Sequence, residues 1–312
     1  ERSEMATLNN ILGDEGTLDR VKHTAIGQYI QSRLFLGLPV EVTKYTTLNE
    51  KFNINVKTRT ETGDVFKAIY FCIGNGGVTI NRTAGQPVIP DFIDHDPTDC
   101  ALYHHMPFVL RPVNNDLTDE QRQRYRLRRK ETYNGQDYYA YYARLMEYEN
   151  TTRILTERVQ KGATEVMPYA YTESNLSPRE PELTVGRKVT ASNVKIKVST
   201  GAKIVFTEDD VREYANAVKI ITGNSRYSVI TEIAIVAGVD DATYVSPDNG
   251  KRLNELKLAT VICFADTYQL LTRNNNGFEE VIELGEKTPL PTTSAILPTV
   301  GVDPDAGRGV GG

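Results

Sequence analysis

Asn134-Gly135 lies between two segments of alternating residues, and it limits the fold more than any other feature of the chain. Both residues tolerate positive φ, so an Asn-Gly pair in this setting predicts a type I′ hairpin. The first arm alternates Arg124, Arg126, Arg128 and Lys130 with Tyr125, Leu127 and Arg129. The second, Tyr138–Tyr148, is rich in tyrosine. Pairing about the turn puts the four basic residues on one face, near Asp137, Tyr139 and Tyr141. A helix over Asp119–Arg129, capped by Thr118 with a glutamine downstream, competes for the first arm.

Upstream, Leu18, Val21, Ala25, Tyr29 and Ile30 recur at helical spacing. They predict one helix from Leu18 to Phe35, with Thr17 as cap and Gly37-Leu38-Pro39 as stop. The period then falls to two. Phe52, Ile54 and Val56 alternate with polar residues, Thr62-Gly63-Asp64 reads as a turn and Val65–Ile73 as a more apolar strand, together a hairpin. From Gln86 to Asn115 no period survives, which suggests a binding or bracing loop.

A linker over Thr172–Arg187 opens a second unit. Val194–Val198 reads as a strand, Ser199-Thr200-Gly201 as a turn, and Ile204–Phe206 as the returning strand. Thr207 begins a helix with Val211, Tyr214, Ala215 and Val218 on its apolar face and Gly223 at its end. Tyr227–Val236 and Leu253–Leu271 read as further strands, joined by a loop containing Ser246–Gly250. From Lys287 onward prolines, threonines and glycines replace any pattern.

The expected class is therefore α+β. A β-rich domain spans 1–180 with one long N-terminal helix and the tyrosine hairpin. A smaller α+β domain spans 187–285, and an extended Pro/Gly-rich arm spans 286–312.

Composition narrows the function. The chain has 312 residues, 39% hydrophobic and 25% charged, with a net charge of −5. That balance argues against a dominant nucleic-acid surface. No apolar run approaches the roughly 18 to 20 residues of a membrane span, and Glu1-Arg2-Ser3-Glu4 lacks the order of a secretory leader. Three scattered cysteines, Cys72, Cys100 and Cys263, argue against a disulfide framework. Cys72 and Cys263 sit in apolar runs that suit buried, inert thiols.

Few constellations invite chemistry. His95, Asp96, Asp99, Cys100, His104 and His105 are close in sequence, but they lack the spacing of a zinc site. Gly74-Asn75-Gly76-Gly77 follows a strand, yet no Lys-Ser/Thr pair completes a phosphate loop, and a tight turn explains it. The arginine stripe with interleaved tyrosines could meet phosphates and bases, though Glu131, Asp137, Glu147 and Glu149 stand close by. No Gly-x-Ser-x-Gly elbow occurs.

Residues 68–80 (AIYFCIGNGGVTI), 95–118 (HDPTDCALYHHMPFVLRPVNNDLT) and 126–149 (RLRRKETYNGQDYYAYYARLMEYE) resemble virion structural proteins of large contractile-tailed (jumbo) bacteriophages. The resemblance covers roughly residues 65 to 170 and carries no catalytic motif. It implies a scaffold role in the tail, neck or baseplate, made in the host cytoplasm, with other virion proteins and copies of itself as partners. The expectation is a non-enzymatic building block without metal, cofactor or small-molecule substrate. Partner contacts are expected at Arg124, Arg126, Arg128, Tyr139 and Tyr141 of the hairpin, and at Ile296, Leu297 and Val300 of the arm. The alternatives are a nucleic-acid module using the Arg124–Lys130 stripe and a metal-dependent enzyme using the His95–His105 loop.

Overall fold

The computed structural model describes residues 21–54, 57, 59–81, 89–148, 152–160, 163–178, 194–245, 250–271 and 277–289. Its first elements already correct the expected Leu18–Phe35 helix. Strand β1 (Val21–His23) precedes α1 (Ala25–Phe35). β1 is held by a distant strand, pairing Val21 with Ala265 and His23 with Cys263. Thr24 Oγ1 then accepts from the Gly27 N–H at 3.0 Å and donates to the Val261 carbonyl at 2.7 Å. A helix continuing through Val21–His23 would forfeit those sheet bonds, so Thr24 is the cap.

The alternation at Phe52-Ile54-Val56 is also misleading. Thr47 and Glu50 form a capping box that nucleates α2 (Leu48–Phe52), with Leu48 and Phe52 one turn apart and buried. Asn53 ends it at φ 54°. Strand β2 (Lys67–Gly74) follows, and it finds its neighbours elsewhere in a sheet. Its residues are buried on both faces: Tyr70 and Cys72 join a core containing Leu48 and Phe52, while the Phe71 ring meets Phe108 at 5.1 Å. That is why the segment reads as continuously apolar.

After β3 (Val78–Asn81), the stretch expected to be irregular contains β4 (Ile89–Phe92), β5 (His105–Met106) and β6 (Val109–Pro112). Both readings of the basic segment hold in part. Thr118 and Gln121 form a capping box for a short α3 (Asp119–Arg122), and the hairpin of β7 (Tyr125–Tyr133) and β8 (Gln136–Leu145) follows. Asn134 and Gly135 turn it at φ 51° and 77°. Beyond it come β9 (Glu147–Tyr148), β10 (Arg153–Gln160), β11 (Ala163–Pro168) and α4 (Glu173–Leu176).

β12 (Val194–Phe206) passes straight through Ser199-Thr200-Gly201, where a turn was expected. Ser199 is buried opposite Arg153 of β10, and the ladder overrides the turn residues. The helix α5 (Glu208–Thr222) matches its sequence signals: Thr207 and Asp210 form the capping box and Gly223 adopts φ 77°. A 3₁₀ turn (Ser225–Tyr227) leads to β13 (Val229–Val245), then β14 (Arg252–Leu270) and β15 (Phe278–Pro289).

The class is α+β with strand predominating. One antiparallel sheet runs β1-β14-β13-β2-β8-β6, with β5 on β2 and β7 on β8. A second runs β11-β10-β12-β15, with β9 on β12, and β3 pairs with β4. The chain divides into two compact units, and the expected 1–180, 187–285 and 286–312 division is not theirs. The first comprises Glu1–Glu147 with Lys203–Glu280, and the second Tyr148–Ala202 with Val281–Gly312. The correction has a clear cause: β13 inserts between β14 and β2, so strands expected in separate domains share one sheet. The α5 helix, at fifteen residues, outruns the N-terminal α1.

Asn49 locks α2 onto β14. Its Nδ2 donates to the carbonyls of Ile54 (3.0 Å) and Leu256 (2.7 Å), and its Oδ1 accepts from the Ala259 N–H at 2.8 Å. Asn49→Ala leaves these buried backbone groups unpaired. We expect a loss of about 3 kcal/mol in urea unfolding of the full chain, whereas Asn→Ala at exposed Asn115 should change little.

Candidate functional site

The polar centre of the first unit is a carboxylate that the sequence reading did not single out. Glu232 lies on β13 opposite Asp266 of β14 and Gly74 of β2, with its side chain 1% exposed. Its Oε1 accepts from the backbone N–H groups of Gly76 and His104, both at 2.9 Å. Its Oε2 accepts from the Tyr103 N–H at 3.0 Å and faces His95 Nε2 at 3.1 Å. Four donors therefore converge on one charge, which is how a buried carboxylate becomes tolerable.

This explains the Gly-Asn-Gly-Gly turn. A Cβ on Gly74 would lie 2.5 Å from Glu232 Oε1, and one on Gly76 would lie 2.8 Å from it. Gly77 turns at φ 65°. The loop is an anion cradle whose anion is the protein's own side chain.

His95 completes the centre. Its ring lies between Tyr103 (centroids 4.2 Å apart) and Phe264 (3.8 Å), and its Nδ1 faces Asp99 Oδ2 at 3.0 Å. Burial alone would depress the imidazole pKa, but the hydrogen bonds and charges of Glu232 and Asp99 override it and raise it. Both ring nitrogens of His95 thus face carboxylates, an arrangement that favours the charged form of the ring. Beside it, burial pushes the Asp266 carboxyl up to about 6, with His95 pulling the other way.

The three loop histidines do not converge. His104 Nδ1 faces Asn75 Oδ1, while His105 Nε2 accepts from the Leu102 N–H at 3.0 Å. Burial, with the nearby Lys51, His104 and His95 charges, pushes the His105 pKa down to about 3. Among the described residues no group of three or more His, Cys, Asp or Glu side chains is arranged to hold a metal. Cys100 Sγ donates to the Thr98 carbonyl of its own turn. Burial pushes the thiols of Cys72 and Cys263 up, the latter to about 12. Chemically, the arrangement is a charge clamp in which both Glu232 oxygens are held by groups of the same chain.

The basic stripe is also used inside the chain. Arg126 Nε meets Asp240 at 3.2 Å, and its Nη1 donates to the Gln123 and Tyr125 carbonyls. Arg128 meets Asp116 at 2.8 Å and lies 3.9 Å above the Tyr139 ring. Arg124 reaches Asp210 at 3.5 Å and Lys130 reaches Asp137 at 2.6 Å. Tyr141 is buried, with its hydroxyl donating to Asp116 at 2.6 Å. Arg126 and Tyr141 thus face inward, contrary to their expected role as surface contacts. Arg124, Arg128, Lys130 and Tyr139 keep partial exposure. Ile296, Leu297 and Val300 lie outside the described residues, as do most of the 286–312 arm and the Ser246–Asn249 loop.

What the sequence reading passed over at the surface is apolar. Phe35 is 91% exposed and Leu36 69%, with Leu34, Leu38 and Tyr29 each near half. The turn that carries them is rigid: Gly37 takes φ 67°, and its N–H donates to Leu34 while the Leu38 N–H donates to Arg33, a Schellman motif. Arg33 Nε also donates to the Pro39 carbonyl at 2.8 Å. The available signal was the apolar run Leu34-Phe35-Leu36-Gly37-Leu38, which continues past the end of the helix. Among the described residues no helix is long and apolar enough to cross a membrane.

A protein-family model described as a family of unknown function (DUF7208) matches residues 14–298. The chain belongs to that family. No curated protein and no solved structure matches it. DUF7208 membership spans both compact units, so the Glu232 centre and the α1 patch both lie within the matched region.

Two outcomes test the clamp. Glu232→Gln presents an amide to donors that need a carboxylate, and should cost about 3 kcal/mol or more in urea unfolding. The histidines should also shape stability in opposite directions. His95, with a raised pKa, contributes stability that is full below pH 6.5 and lost as pH rises through its folded value. His105, with a lowered pKa, withdraws stability as pH falls below 6.5, by about 2 kcal/mol at pH 5. Unfolding curves across pH 5–9 should show His105→Gln flattening the acid limb and His95→Gln flattening the alkaline limb.

Proposed function

We propose that the chain is a structural subunit of a bacteriophage virion, a tail, neck or baseplate component that works through protein–protein contacts. The observation that carries this reading is the rigid apolar surface at the end of α1. Contiguous exposed Leu-Phe-Leu side chains on a locked turn are costly in water and become favourable against a partner. The segments at 68–80, 95–118 and 126–149 that resemble jumbo-phage virion proteins support the virion setting. The inward use of the acidic and basic side chains supports contact over chemistry, and the pairing of Arg124, Arg126, Arg128 and Lys130 disfavours a phosphate-tracking role. In this reading the chain is made in the host cytoplasm, and Ile296, Leu297 and Val300 contact a neighbouring subunit.

The test is incorporation into particles. Wild-type protein supplied in an infected host should be recovered in purified virions, in a complex far heavier than one chain. Phe35→Ser and a chain ending at residue 289 should melt like wild type yet enter particles at least tenfold less well. Normal incorporation of both variants, or absence of the wild-type chain from virions, would sink the reading.

A further inference from the structure

The α1 patch borders a cleft of about 400 Å³ whose lining includes Leu34, Leu38, Pro39, Val40, Thr60 and Phe66. We infer, resting on the structural-subunit reading, that this surface docks a second copy of the same chain about a two-fold axis, with Phe35 of each copy seated in the cleft of the other.

Position comes first. A two-fold interface uses one patch on both partners, so that patch must carry both a knob and a hole. Here the two adjoin: Leu34 and Leu38 line the cleft and flank the projecting Phe35 and Leu36. A knob and hole on opposite sides would instead build a chain or a ring.

Size agrees. The cleft is open and lined by Arg59, Thr60, Glu61, Thr62 and Asp64 as well as by apolar side chains, and its volume of about 400 Å³ leaves room for a phenyl ring. Tyr29, Leu34, Phe35, Leu36 and Leu38 together expose on the order of 500 Å². Two copies would then bury on the order of 1,000 Å² of apolar surface, the lower bound for a specific interface. Arg33, at the knob, bonds to the Pro39 carbonyl and the Tyr29 hydroxyl and has no carboxylate partner among the described residues. Glu61 lies at the cleft with Arg59, its side chain 76% exposed and already paired with Lys57 at 3.4 Å. A partner's Arg33 would therefore meet an acid that Lys57 already neutralises, so charge neither drives nor opposes docking. The Schellman turn fixes the knob before contact, so little ordering entropy opposes docking.

Sedimentation of the purified full chain, taken up to about 100 µM, tests this. Wild type should reach a dimer and stop there. Phe35→Ser removes the knob and Thr62→Arg obstructs the cleft; both positions are exposed, so melting temperatures should hold. Each variant should weaken the dimer at least tenfold. An equimolar mixture should associate more tightly than either alone, because each mixed pair keeps one knob and one hole. Wild type that stays monomeric, wild type that grows past a dimer, or a Phe35→Ser protein that dimerises normally would overturn the proposal. If wild type is monomeric while Phe35→Ser still fails to enter virions, the two-fold contact falls and the structural-subunit reading stands.

Discussion

A full negative charge in the middle of a sheet needs donors from every side, and Glu232 obtains them by gathering segments distant in sequence. The Gly74–Gly77 turn supplies one N–H, the Tyr103-His104 backbone supplies two, and His95 supplies its ring. None of these donors can withdraw without leaving the charge uncompensated in a poorly solvated place. The placement of two otherwise irregular loops is thus tied to one side chain. The ring stack of Tyr103, His95 and Phe264 extends that order into the apolar core.

The same economy runs through the rest of the first unit. Arg122 pairs with Glu255 at 2.6 Å in a buried contact, Arg144 with Asp210 at 3.1 Å, and Arg126 with Asp240. Polar groups of the kind that often serve catalysis are here committed to joining elements. The outer surface, by contrast, leaves a phenylalanine and several leucines uncovered.

Local signals were legible in the sequence and non-local ones were not. Asn134-Gly135 forms its turn because both residues suit positive φ, whatever surrounds them. Thr207 and Gly223 bound α5 for similarly local reasons. Ser199-Thr200-Gly201 failed as a turn because pairing with β10 outweighed its residue types, and Thr24 replaced Thr17 because β14 held Val21–His23. Glu232 was hidden because its partners lie 128 to 156 residues away. Its one trace is a lone carboxylate within Val229–Val236, a run that is apolar apart from it and Thr231.

The order in which the sheet's strands occur along the chain has a consequence during synthesis. β2 is made early, but its neighbour β13 and the carboxylate that fills the glycine cradle arrive some 156 residues later. At translation rates of roughly 5–20 residues per second, that is about 8 to 30 s. Until then the strand edge of Tyr70, Phe71, Cys72 and Ile73 that faces β13 has no partner. The intervening strands of the second unit are threaded through this wait. High contact order of this kind makes folding slow, and the nascent chain must spend those seconds with an open, apolar sheet edge in the most crowded part of the cell.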